Sequence, residues 1–354
     1  MRKGSLHRVI TWGVLLGVVS FAGAAILWSA KTESGKRAES GPRAGRINGF
    51  DLSDSLIAVE EIVSGGVRKD GIPALTKPKV TRAAEAKYLK PGDTVIGVTI
   101  GRESRAYPLK ILEQHEIVND VVGAEPVLVS YCPLCRSALV FERQVGGEVV
   151  EFGVSGLLWN SNVLMYDRRA EPEQESLWSQ VRMGAVTGPA ARKGWTLKLL
   201  PSRLTSWEAW RRDHETTTVL SEQTGYRRRY SGMVYGGYFG TDRLMFPVKR
   251  HGNRPGRFRD KEPMVLVQTA KESRAYAVAD IAQVVRDKGQ EAFEDTLGGE
   301  PVRLRYDAGS QSVWVETVGE QAESLPTADL FWFSLNAILP DVPVYEPSPA
   351  KPER

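Results

Sequence analysis

The chain has 354 residues, 42% of them hydrophobic, with 47 Lys and Arg against 43 Asp and Glu and a formal net charge of +4. That is apolar material for one large or two ordinary cores, and too mild a positive excess to point to nucleic acid as a partner. Only two cysteines occur, Cys132 and Cys135, which excludes a disulfide framework and leaves a redox pair or half of a metal site.

At the N-terminus Arg2, Lys3 and Arg8 precede an uncharged run from Val9 to Ala30, closed by Lys31. A run of this length crosses a bilayer as a helix. Positive charge on its leading side keeps that end in the cytoplasm. Residues 1–30 are therefore expected to be a cytoplasmic tail and transmembrane anchor through 9–30, with the bulk of the chain extracytoplasmic, periplasmic or extracellular. The small residues Ala22-Gly-Ala24 also suit cleavage of a signal peptide and secretion. Apolar residues continuing to Leu27-Trp28 favour the anchor. Residues 31–47 are Gly, Ser, Lys and Arg-rich and read as a flexible linker.

An irregular lead-in with turn signals at Asp70-Gly-Ile-Pro73 and Lys77-Pro78 is followed by a strand pattern, Thr94 to Ile100. Glu103-Ser-Arg-Ala-Tyr107 comes next and recurs letter for letter as Glu272-Ser-Arg-Ala-Tyr276. Gly123-Ala-Glu-Pro-Val127 is echoed by Gly298-Gly-Glu-Pro-Val302, and Ser206-Trp-Glu-Ala-Trp210 more weakly by Phe331-Trp-Phe-Ser-Leu335. These matches predict two diverged copies of one unit: a first at 48–221, a connecting segment at 222–260, a second and degenerate copy at 261–345, and a tail at 346–354. Helices are expected to be few: one opening at Pro108 and running to Ile117, its counterpart over 277–287, and one over 206–213 with Ser206 as N-cap. The expected fold class is β-rich α+β, two sheet-plus-short-helix units after the N-terminal transmembrane segment.

Between Val127 and Phe141 an apolar run leads into Cys132-Pro-Leu-Cys135 and another leaves it. The repeat places Tyr131–Ser137 opposite Tyr306-Asp-Ala-Gly-Ser-Gln-Ser312, whose Asp-Ala-Gly-Ser is hairpin-turn chemistry. The Cys motif is thus expected to cap a β-hairpin rather than open a helix, which counts against a thioredoxin-type arrangement. No second Cys pair exists to complete a zinc ribbon. Of the four histidines, His115 is the one shortly before the Cys strand, and the second copy lacks it and both cysteines together. Two thiolates and one imidazole suit copper or zinc, copper being favoured by the soft set. Cys132, Cys135 and His115 are then the candidate ligands, with Glu116, Asn119 and Asp120 as partners that orient the imidazole. The alternatives are a thiol–disulfide oxidoreductase using Cys132 and Cys135 as its catalytic pair, and a non-catalytic binding module in which they form a structural disulfide. Trp159, Asn160, Tyr166, Asp167, Arg168, Trp178 and Gln180 mix aromatic and polar groups in a stretch the second copy lacks, and are candidate pocket residues.

Asp70-Gly-Ile-Pro73, His115-Glu-Ile-Val-Asn-Asp120, Tyr131-Cys-Pro-Leu-Cys135, Phe152-Gly-Val-Ser-Gly156, Met165-Tyr-Asp167, Ser176-Leu-Trp-Ser-Gln180 and Ser206-Trp207 in this order resemble the bacterial and archaeal DUF3179 family. The resemblance covers about residue 48 to the C-terminus. It implies an exported or membrane-attached protein bearing this Cys turn, and carries no reaction with it. Other motif classes are weak. Gly153-Val-Ser-Gly156 is not a nucleophile elbow, since Leu157 stands where the second glycine belongs. No phosphate-binding glycine loop is present.

Overall fold

The computed structural model describes residues 45–250 and 256–347. The apolar run at 9–30, most of the linker, His7 and His251 lie outside them, and no helix among the described residues is long and apolar enough to cross a membrane.

Thr94–Ile100 (β1) and Glu103–Pro108 (β2) form a hairpin whose turn uses Gly101 at a φ of 59°. Pro108 hands the chain to Leu109–Leu112 (α1), a single helical turn. This corrects the expected helix through Ile117. Glu116 adopts a left-handed φ of 57°, which a continuing helix cannot contain, and Ile117–Val122 (β3) follows at once. With Glu125–Cys132 (β4) and Ser137–Glu142 (β5), β3 makes a three-stranded meander. Cys132 pairs with Ser137, so residues 133–136 are the connecting turn.

Phe152–Trp159 (β6) and Asn162–Asp167 (β7) close through Asn160 and Ser161, both at positive φ (50° and 62°). That is the two-residue turn whose twist matches paired strands. Leu177–Ser179 (β8) joins β7. Arg203–Ser206 (β9) leads into Trp207–Asp213 (α2), capped where the Ser206 hydroxyl accepts from the Ala209 N–H at 3.2 Å, and Thr218–Leu220 (β10) follows.

Beyond residue 260 the same order of elements appears: Pro263–Gln268 (β11), Ser273–Ala277 (β12), Val278–Lys288 (α3), a meander of Ala292–Leu297 (β13), Glu300–Asp307 (β14) and Ser312–Thr317 (β15), then Thr327–Phe331 (β16) and Trp332–Ile338 (α4). Helix α3 ends at Gly289 in the left-handed region.

Three larger sheets result. One runs β9-β1-β2-β10, extended by the short strand Val80–Arg82; another runs β8-β7-β6, flanked by Gly184–Ala185 and Ile62–Ser64. The third is seven-stranded, in the order β12-β11-β16-β5-β4-β3 and then Leu75–Thr76. The edge of the Cys meander is thus sealed by β16, Ala138 facing Asp329 and the Phe331 N–H donating to the Cys135 carbonyl at 2.9 Å. The protein is β-rich with few short helices. Its largest apolar core packs Leu128, Leu139, Phe141, Phe152, Leu164 and Trp178 together with both cysteines.

The two ESRAY segments make matching bonds. Arg105 and Tyr107 both donate to one carboxylate oxygen of Asp120 at 2.8 Å, Arg105 also reaches the Val121 carbonyl, and Glu103 accepts from the Gly123 N–H. Arg274 and Tyr276 do the same to Asp295, at 2.9 and 2.8 Å, with the Thr296 carbonyl and the Gly298 N–H in the equivalent places. Asp120 and Asp295 stand at the offset that relates the two Gly-x-Glu-Pro-Val segments. The Asp120 side chain is 7% exposed and that of Asp295 19%. Breaking a buried pair strands its partner's charge, at a cost of about 3–5 kcal/mol. Asp120→Ala is therefore expected to lower unfolding free energy by about that amount, and Asp295→Ala by less, which denaturant titration of the two variants will measure.

Candidate functional site: the Cys132–Cys135 hairpin tip

The tip of the β4–β5 hairpin is buried except at Arg136, which is half-buried. Cys132, Pro133, Leu134 and Cys135 are all withdrawn from solvent, and both cysteines are free thiols. Ser137, the first residue of β5, lies 3.0 Å from the Cys135 sulfur through its hydroxyl. From the β6–β7 turn, the Asn162 amide nitrogen reaches Cys135 Sγ at 3.0 Å and Ser137 Oγ at 3.2 Å. Gln180, just beyond β8, holds Ser137 from both sides. Its amide nitrogen donates to the Ser137 carbonyl at 3.2 Å, and its oxygen takes the Ser137 hydroxyl at 2.5 Å and Asn162 at 2.8 Å. The single Ser137 proton thus has two acceptors, Gln180 Oε1 and the sulfur, and turns toward whichever carries charge.

These contacts separate the two thiols. Burial alone would raise Cys135, but hydrogen bonds from Cys132, Ser137 and Asn162 outweigh it and lower the thiol to about 7. Burial raises Cys132 well above the ordinary range, and its role as the proton donor to Cys135 raises it further. Glu116 is buried against the same site. Burial pushes its carboxyl up to about 8, and the charge on Cys135 adds to the shift. As pH rises, the first proton to leave this cluster is therefore that of Cys135, ahead of those of Glu116 and Cys132.

A family model described as "Protein of unknown function (DUF3179)" matches residues 69–329. The chain belongs to this family. No curated protein and no solved structure matches it. The DUF3179 match contains every residue of the cluster just described and ends at Asp329 within β16, the strand that seals the Cys hairpin.

The structure sends His115 elsewhere. One ring nitrogen, Nδ1, lies 2.7 Å from the Pro73 carbonyl and the other 2.7 Å from the Tyr230 hydroxyl. A carbonyl can only accept, so Nδ1 carries the proton and Nε2 accepts from Tyr230. Burial lowers the pKa of His115. Neither nitrogen has a lone pair left for a metal ion. Among the described residues no group of three His, Cys, Asp or Glu is arranged to hold one.

Of the residues expected to orient the imidazole, only Glu116 approaches the sulfurs. Asn119 makes a two-way bond to the Phe152 backbone at 2.8 Å, tying β3 to β6, and Asp120 serves the Arg105–Tyr107 clamp. The expected pocket stretch divides likewise. Gln180 joins the cluster, and Asn160 stands beside it, its oxygen accepting from the Lys249 N–H at 2.8 Å. Trp178 is core, edge-on to Phe152, and Trp159 donates to Glu61. Tyr166 and Arg168 both turn to Asp70, and Asp167 to Arg169 and the Ser176 N–H.

Ser137 and Asn162 were not among the expected site residues. The signal for them was present in the spacing of Ser137 two residues after Cys135 and in Trp159-Asn-Ser-Asn162, a hairpin tip dense in amides. Unsatisfied buried polar atoms gather here too: Glu113 Oε1, Tyr131 Oη, Asn160 Nδ2, Ser161 Oγ and Asn162 Oδ1. Over the tip lies part of the connecting segment. Tyr238 donates to the Leu134 carbonyl at 2.7 Å, and Lys261 sits 3.3 Å over the Tyr238 ring.

A hydrogen bond to a charged acceptor is worth about 1.5–3 kcal/mol, or about one to two pKa units. Asn162→Ala is therefore expected to move the thiolate titration of Cys135 upward by at least about one unit. Ultraviolet thiolate absorbance against pH, with Cys135→Ser as the blank, will measure it.

Proposed function

We propose that Cys132 and Cys135 form a thiol–disulfide redox centre on a membrane-tethered, extracytoplasmic protein. The observation that carries this reading is the unequal pair: the Asn162 amide nitrogen and the Ser137 hydroxyl both lie 3.0 Å from the Cys135 sulfur and lower its thiol, while burial raises that of Cys132. A dithiol motif needs such a division of labour, a nucleophile and a resolving thiol. The Cys135 thiolate attacks one sulfur of a partner disulfide, whose S–S bond breaks to release a thiolate and leave a mixed disulfide. Cys132 then gives up its proton and attacks Cys135, expelling the second partner sulfur. The two cysteines end as a disulfide, and the partner ends as one thiol, which takes the Cys132 proton, and one thiolate, which inherits the negative charge of Cys135.

A location outside the cytoplasm rests on the charge-flanked apolar run at 9–30, and disulfide chemistry persists there. We also infer that 48–221 and 261–345 are two copies of one unit joined by 222–260. The repeated letters, the matching element order and the two Asp-centred clamps support this. The metal reading keeps two sulfurs as ligands and has no imidazole to offer as a third.

Cys132→Ser removes the resolving thiol and is expected to trap a stable mixed disulfide at Cys135 with a small aromatic disulfide, at a rate rising with pH to a plateau above about 7. Cys135→Ser is expected to trap none. Mass spectrometry of the two variants decides. Equal labelling of both, or wild-type protein purified with stoichiometric copper or zinc and inert thiols, would sink the redox reading.

A further inference from the structure

The connecting segment has two unlike faces. Inward, Tyr235, Phe239, Leu244, Phe246 and Val248 pack on the core that holds the cysteines. Outward, it displays four of the nine large apolar side chains exposed among the described residues: Tyr226 at 46%, Met233 at 49%, Val234 at 65% and Met245 at 56%. Exposed apolar groups gathered in one segment mark a surface that meets something. Charge says what. Residues 226–250 carry Arg227, Arg228, Arg229, Arg243, Lys249 and Arg250 against Asp242 alone. That is a net +5 in a chain whose total is +4. Lys249 is paired with Glu61 and Arg250 with Asp260. Arg227, Arg228, Arg229 and Arg243 are exposed and make no ion pair among the described residues.

We propose that this segment docks on the surface of an anionic bilayer, its arginines on lipid headgroups and Met233, Val234 and Met245 in the headgroup–acyl boundary. Cationic side chains interleaved with aromatic and apolar ones are what an interfacial element requires, since neither attraction suffices alone. Each unpaired arginine near such a surface strengthens the contact about fivefold at physiological salt. The docking is independent of the thiol chemistry. An anchor at 9–30 brings the bilayer within reach but supplies none of these contacts.

The test places an environment-sensitive fluorophore at Val234→Cys of the full chain, with unsubstituted protein carried through the same labelling as the blank for its own two thiols. Vesicles contain brominated phosphatidylcholine with or without phosphatidylglycerol. Quenching is expected with phosphatidylglycerol only, to fall with added salt, and to be lost when Arg227, Arg228, Arg229 and Arg243 become Gln. Met233→Ser with Met245→Ser is expected to weaken it while leaving the arginines in place, and circular dichroism verifies the fold of each variant. A chain that floats with both vesicle types but shows no quenching overturns the docking while keeping the anchor. Equal quenching with and without phosphatidylglycerol overturns it as mere tethering. A fluorescence change that depends on protein concentration and not on lipid assigns the surface to a second copy of the chain instead. A chain that floats and is quenched with phosphatidylglycerol alone supports the docking and removes the anchor.

Discussion

A negative charge on Cys135, shut away from water, exists only while hydrogens point at it. An uncompensated ion in such a place costs several kcal/mol, and a thiol ordinarily responds to burial by staying protonated. Here the donors arrive from different parts of the chain. Ser137 is placed by the hairpin register and Asn162 by the two-residue turn between β6 and β7. Cys132 comes from the facing strand. Gln180 touches no sulfur but fixes Ser137 at its carbonyl and at its hydroxyl. The arrangement around the tip therefore depends on two sheets meeting in register, and a shift of either would leave the charge unsupported.

Glu116 adds a second constraint. It and Cys135 are both acids in one dry place, and two anions there would repel with little screening. The two therefore lose their protons in turn, sulfur before carboxyl. The matching position in the C-terminal half is also a glutamate, Glu291, and both residues accept through the carbonyl from a tyrosine N–H, Tyr131 or Tyr306. Glu291 is exposed and Glu116 is not. The carbonyls make the same bond, but the left-handed residue is Glu116 itself in one half and Gly289 in the other, and only the N-terminal glutamate is buried.

Much of the frame was legible in the residues. Strand alternation, the Gly101 turn and the Ser206 cap are local signals, and the Asp-Ala-Gly-Ser counterpart made the Cys motif readable as a turn. The helix at Pro108 was read too long because nothing in His115-Glu116 announces a left-handed residue; a glutamate there is held by tertiary packing, which propensity does not record. The same kink explains why His115 and Glu116, adjacent in sequence, meet different partners. The absence of histidine and cysteines together from the second half made a shared site a reasonable expectation. The imidazole instead ties the Pro73 loop to Tyr230, a long-range bond with no sequence signature. Asn162 and Gln180 were hard to single out for the opposite reason. Uncharged amides are common, and only the meeting of two sheets reveals that these face a sulfur.

The strand that closes the sheet beside the Cys hairpin comes late. Ala138 and its partner Asp329 stand 191 positions apart. Until β16 emerges, β5 has an open edge and the tip has lost the amide that bonds the Cys135 carbonyl. Contacts of such long range form slowly. During synthesis, then, the cysteines remain open to whatever oxidants and thiols surround the nascent chain, and the C-terminal half, though it carries no cysteine, acts as the clasp that ends this vulnerable interval.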